Sequence, residues 1–207
     1  MDHCRQGEVT RGVPMRGQNE GGTGDQRPSA WVIRFLGGIR PGGRILDVAC
    51  GSGRNLRAAL GAGFQVTGVD RKLSGLADLS GVAGVELVEM DLETGVTTPL
   101  SEQFGTGTFD GVIVTNYLWR PIMKDVVAMV RGDGILIYET FGRGNEHYGK
   151  PSNPDFLLKP GELLDAISPV LTAIAFEHMT VGDPLRVVQR VAAVGPQHKW
   201  LDSPPRL

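Results

Sequence analysis

The chain has 207 residues, 41% of them hydrophobic, and a formal charge of −2. That length supports one domain with a sizeable core, and the near-balance of charge offers no basic surplus for a nucleic-acid partner. No apolar run reaches the roughly 18 residues of a membrane span, no N-terminal apolar stretch marks a signal peptide, and two cysteines, Cys4 in a polar stretch and Cys50 after an apolar run, speak for a reducing cytoplasm rather than a disulfide framework.

Taken in order, residues 1–27 hold six of the 30 glycines among Arg, Gln, Glu and Asp. So polar a stretch buries too little apolar area to offset its ordering entropy, and it reads as a flexible tail. A lid that orders over a ligand is the functional alternative. Residues 29–38 form a short helix, with Ser29 as N-cap and Gly37-Gly38 as its stop. A buried strand over 44–49 leads into a Gly-x-Gly turn and a helix over 53–60. Strands follow at 65–69, 85–90, 109–114 and 135–140. Between them lie a short helix at 74–79, a loop at 94–107, a helix at 121–130 that Pro121 can open, and a turn at 131–134. A long polar loop at 142–159 and a helix at 160–167 precede two last strands, 170–179 and 185–194, joined by Gly182-Asp183-Pro184.

Strands alternating with helices imply a parallel sheet covered on both faces, and the final short connection implies an antiparallel hairpin. The expected fold is α/β, a Rossmann-like doubly wound sheet of seven strands, mostly parallel with an antiparallel last strand. The domain spans 28–195, between the 1–27 tail and a C-terminal tail at 196–207. In such sheets ligands bind beyond the carboxyl ends of the strands, where strand order reverses.

The polar signals fall at those ends. Gly51 and Gly53 allow a tight turn and close approach to a ligand. A dinucleotide fingerprint would place a third glycine at position 56, where this chain has Leu56. Asp47, inside the strand, is awkward beside a pyrophosphate but suits the ammonium of a methionine moiety. Asp70 ends the second strand, 19 residues after Gly51, where an acid can accept from ribose hydroxyls. Asp91 ends the third and can accept from an adenine amine, with the Leu92 amide alongside. Each acid alone is also a common turn former or helix cap; the ordered set is what points to S-adenosylmethionine. Ala49, Asn55, Arg71 and Asn116 complete the expected cofactor contacts.

These residues resemble the class I S-adenosylmethionine-dependent methyltransferases. Asp47-Val-Ala-Cys-Gly-Ser-Gly53 is similar to that family's first motif, Asp70 to its second and Asp91 to its third. The Gly-Ser-Gly-Arg-Asn turn most resembles small bacterial enzymes of the tellurite-resistance and thiol-methylating kind. The resemblance covers about residues 30–195 and implies methyl transfer, with the acceptor left open. Asn116-Tyr-Leu-Trp119 lacks the two prolines of many amino-methylating enzymes, and no paired catalytic cysteines of the cytosine C5 type are present.

Three stretches converge on the substrate side: 116–120, 139–148 and 150–159. Tyr117, Arg120, Glu139 and Asn145 are the expected acceptor contacts. Glu139 and Tyr117 are the candidate catalytic residues, although Glu139 can instead pair with Arg120 or Arg143, and Tyr117 can be a core residue. No residues have metal-ligand spacing. The reading is a cytoplasmic methyltransferase, monomer or homodimer, acting on a small-molecule acceptor. Its rivals are an RNA or protein methyltransferase, a non-catalytic interaction module of the same fold, and a nucleotide-linked oxidoreductase.

Overall fold

The computed structural model describes residues 26–206. Residues 1–25 of the expected tail, including Cys4, therefore lie outside the described residues. Seven strands make one sheet: β1 (Arg44–Val48), β2 (Gln65–Asp70), β3 (Val85–Glu89), β4 (Phe109–Thr115), β5 (Val130–Phe141), β6 (Thr172–Val181) and β7 (Arg186–Val194). Their order is β3-β2-β1-β4-β5-β7-β6. The first five pair in parallel, and β7 runs antiparallel to both β5 and β6. This is the expected Rossmann-like sheet, with the antiparallel strand inserted between β5 and β6.

Alternation along the central strands assigns the two faces. Leu46 and Val48, Val112 and Val114, and Leu136 and Tyr138 enter one apolar cluster. Helices α3 (Pro99–Phe104), α4 (Met123–Ala128) and α5 (Glu162–Ile167) cover it. Ile45, Ile113, Ile135 and Ile137 enter the other, beneath α1 (Ala30–Phe35) and α2 (Arg54–Gly61). The same parity places Asp47 and Glu139 on the α1/α2 side of the sheet. Helix α1 begins as expected: the Ser29 hydroxyl accepts from the amides of Trp31 and Val32 at 3.2 and 3.4 Å.

Three expectations are corrected. The loop at 94–107 contains α3, whose first amides are held from outside: Leu100 and Ser101 donate to the buried Asp125 carboxylate of α4. So short a helix is unstable alone, and its stabilising partner lies 25 residues away. The helix expected over 121–130 is a single tight turn, Arg120–Ile122, followed by α4, and ends at Ala128. Val130 already pairs with Phe109, so the turn expected at 131–134 belongs to β5, opposite a register shift between Phe109 and Gly111.

The third correction is the C-terminal tail, whose first part packs on the domain. His198 Nε2 lies 2.9 Å from the Gly38 carbonyl oxygen, and the Trp200 amide donates to His198 Nδ1 at 3.1 Å. The Trp200 ring is 8% exposed and sits edge-on to Phe35, with centroids 6.4 Å apart. A buried aromatic of this size contributes more than its neighbouring polar residues cost to order. We predict that Trp200→Ala lowers the unfolding free energy by about 3 kcal/mol, read as a lower urea midpoint; an unchanged midpoint would show that the segment is dispensable.

Candidate active site

The chain leaves β1 toward β2 and β3, then returns across β1 to β4, so strand order reverses between β1 and β4. The carboxyl ends of these two strands carry, among the described residues, the two non-glycine positions with positive φ: Ala49 at 53° and Asn116 at 55°. Left-handed backbone of this kind clusters where a ligand shapes the chain. Gly51 and Gly53 continue the turn at φ 56° and 76°. A Cβ on Gly51 would meet open space, while one on Gly53 would collide with Leu76. The missing third glycine has a counterpart elsewhere: Gly68 on β2 makes the room that lets Leu56 pack directly on the sheet.

Three acids frame the turn. Asp47 is 1% exposed, and its Oδ2 has no hydrogen-bond partner. Removal from water pushes its carboxyl up to about 7, against the opposing pull of the Arg54 guanidinium and the Leu56 amide. Asp70 closes the turn from the next strand: its Oδ2 accepts from the Gly51 amide at 2.8 Å and its Oδ1 from the Lys72 amide at 3.1 Å. Asp91 is exposed and accepts from the Glu93 amide at 2.9 Å. Leu92 is buried; Arg71 and Asn116 are exposed. Asn55 is buried and committed to the fold, accepting from the Ser29 amide and donating to Thr115 Oγ1, both at 2.9 Å.

The expected acceptor residues do not all converge. Tyr117 packs against the α3/α4 cluster, and its hydroxyl is buried without a partner. Burial raises its ionisation above the usual phenol range, and Glu93, Tyr138, Asp91 and Asp70 add to that shift. It lies on the α3/α4 face of the sheet, opposite to Glu139. Arg120 is taken up as a strap: it grips Glu162 through Nε at 2.6 Å and Nη2 at 3.0 Å, and it donates to the Asp155 and Leu157 carbonyls. Asn145 is 1% exposed, donates to the Pro151 carbonyl at 2.9 Å and accepts from the Val187 amide at 3.1 Å. Both side chains hold the 142–159 segment in place, which is why they are not free to meet an acceptor.

Glu139 pairs with neither Arg120 nor Arg143. Its Oε1 accepts from the Ser29 hydroxyl at 3.0 Å and its Oε2 from Arg190 Nη1 at 3.1 Å, across the β5/β7 register. Beside it opens a cleft of about 320 Å³, lined by residues 27–30, Arg54, Glu139, Arg186 and Arg190. Sequence reasoning did not single out Ser29, Arg186 or Arg190 for this site. The one signal for the arginines was alternation along the last strand, which places 186 and 190 on the same face.

Residues 45–134 match the family model described as "Methyltransferase domain". Over these residues the chain is similar to methyltransferase domains. Over 120 residues it is 32% identical to the ubiquinone biosynthesis O-methyltransferase of Maricaulis maris, covering 55% of this chain and 47% of that protein. The chain thus spans about half the length of the curated relative it matches. TehB from Haemophilus influenzae shares the fold at a TM-score of 0.62 and 16% identity, over 79% of this chain and 61% of that one. The Burkholderia thailandensis 1,6-didemethyltoxoflavin-N1-methyltransferase, solved with its acceptor and S-adenosylhomocysteine, aligns at 0.58 and 16% identity, over 79% and 77%. At the end of β1 the structure combines an open glycine turn with a buried carboxylate oxygen that lacks a donor.

That carboxylate leaves a pH signature. In the unfolded chain Asp47 ionises near 3.8, whereas in the folded domain it keeps its proton to about 7. Between those values the folded state binds more protons, so stability falls as pH rises through this window and the loss persists above it. Three pKa units set an upper bound of about 4 kcal/mol on this loss. We predict that Asp47→Asn flattens the decline and raises the melting temperature at pH 8, as measured by calorimetric scans from pH 4 to pH 8. Identical pH profiles for the two proteins would refute the buried-acid account.

Proposed function

We propose that this chain methylates a small-molecule acceptor in the cytoplasm, using S-adenosylmethionine bound over the turn 49–53. The observation that carries the reading is the partnerless Oδ2 of Asp47 beneath an open glycine turn, next to a cleft of small-molecule size. When bound, the cofactor would supply an electrophilic sulfonium methyl, transferred in line to an acceptor lone pair as its C–S bond breaks and S-adenosylhomocysteine leaves. Asp47, ionised, holds the ammonium of its methionine part. Asp70 and Asp91 retain lone pairs for the ribose hydroxyls and the adenine amine, because each of their bonding oxygens accepts a single amide in the fold. Tyr117, Asn116 and Leu92 wall the same pocket, and Ala49 and Gly51 shape its floor.

Catalysis then rests on positioning, for which effective molarities reach about 10⁵ M or more. Where the acceptor must lose a proton, Glu139 is the carboxylate that lines the cleft. An enclosed cleft, rather than a broad basic surface, favours a small acceptor over RNA or protein. The names of the Maricaulis and Burkholderia proteins support the same class.

The test is calorimetric titration of the full chain with S-adenosylmethionine, S-adenosylhomocysteine and NAD. Micromolar affinity for the two adenosyl ligands and none for NAD is expected; NAD binding, or no adenosyl binding, overturns the reading. Asp70→Ala should weaken adenosyl binding at least tenfold while circular dichroism shows the fold intact. Unchanged affinity in that variant would remove Asp70 from the ribose site.

A further inference from the structure

We propose that the cleft beside Glu139 is the acceptor subsite for an anionic group, a carboxylate or phosphate, gripped by Arg54 and Arg186. The proposal deepens the methyl-transfer reading and rests on it. Four arginines line the cleft, Arg27, Arg54, Arg186 and Arg190, against a single carboxylate, Glu139. They come from three separate places in the chain: the approach to α1, the first residue of α2, and the two ends of a five-residue run on β7. No local sequence pattern would gather them.

Their neutralisation is uneven. Arg190 is satisfied: it donates to Glu139 and, through Nε at 2.8 Å, to Glu177, and it lies 4.7 Å from the centre of the Trp31 ring. Arg54 meets a backbone carbonyl, that of Arg27, at 3.2 Å, and has no carboxylate within ion-pair distance among the described residues. Arg186 is exposed and makes no side-chain hydrogen bond or ion pair among the described residues. Arg54 acts on the buried Asp47 carboxyl only at a distance, so two guanidiniums without an ion-pair contact among the described residues face a cleft of about 320 Å³ and form a fork for planar, bidentate recognition of an oxyanion. A neutral acceptor would leave both uncompensated in a partly enclosed space, which the cleft's geometry disfavours.

Glu139 also acquires a purpose. As the one acid lining the cleft, it repels an oxyanion from its own end and leaves the Arg54/Arg186 side as the berth. Ser29, bonded to Glu139, and the capped start of α1 form the adjoining wall. Arg54 is the first residue of the helix that the turn 49–53 opens, so the berth adjoins that turn.

The experiment uses the full chain saturated with S-adenosylhomocysteine, titrated in a calorimeter with matched probes: 4-hydroxybenzoate against its methyl ester, 3-mercaptopropionate against 2-mercaptoethanol, and inorganic phosphate. The acids, or phosphate, should bind at least tenfold more tightly than the neutral partners. Arg186→Gln and Arg54→Gln should each remove most of that preference, with S-adenosylhomocysteine affinity within twofold for Arg186→Gln. Equal binding of acids and neutral partners overturns the proposal, as does failure of every anionic probe to bind at 10 mM. A matching loss of S-adenosylhomocysteine affinity in Arg186→Gln would assign the arginines to the cofactor's own carboxylate and also overturn it. Absence of S-adenosylhomocysteine binding in the unmodified chain would instead refute the underlying methyltransferase reading.

Discussion

The buried carboxylate of Glu139 ties the architecture together. It lies on the central strand β5, accepts from Ser29 at the start of α1, and pairs with Arg190 on the antiparallel strand β7. An ion withdrawn from water this far costs several kcal/mol unless it is paired and hydrogen-bonded. Here both oxygens are satisfied, and the guanidinium that satisfies one of them is itself shared with Glu177 and seated against Trp31. The pairing therefore sets where α1 crosses the sheet. Asn55 extends the network, linking the Ser29 amide to Thr115 at the end of β4. Strands β4, β5 and β7 and helices α1 and α2 are thus held around one opening, and the cleft takes its shape from that agreement.

The neighbouring turn works by the opposite logic. Left-handed backbone at Ala49, together with a buried Asp47 oxygen that nothing in the fold satisfies, is unfavourable. Such features persist only where the surrounding structure over-determines them. The supports are visible: Asp70 holds the Gly51 amide, and Leu56 and Leu76 fill the spaces left by Gly68 and Gly53. The fold thus carries a destabilising buried carboxyl at one end of β1, the kind of local cost that recurs at functional sites.

Residue types alone could not separate side chains that meet a ligand from those that brace the fold. Arg120 and Asn145 had the composition of a binding loop, yet both serve as struts, one clamped on Glu162 and the other bridging Pro151 and Val187. Tyr117 shares its stretch with Arg120 but packs against the α3/α4 cluster. Conversely, no motif in the sequence marked Arg186 and Arg190, which the insertion of β7 beside β5 brings to the cleft. Glu162 lies 42 residues from Arg120, and Val187 lies 42 from Asn145, so no short window of sequence contains both members of either pair.

The sequence by itself determined the alternation of strands and helices, the Gly-Ser-Gly turn, the acids at the ends of three successive strands, and hence the resemblance to methyltransferases. These follow from hydrophobic period, turn chemistry and short-range spacing, all of which act within about thirty residues. Tertiary structure alone decided the helix at 99–104, the packing of Trp200, the partner of Glu139 and the gathering of four arginines around one cleft. The physical reason is that burial and ion pairing are properties of surfaces brought together from distant parts of the chain. A charged side chain becomes a strut or a ligand contact only when the fold has settled which counter-charge, if any, stands opposite it.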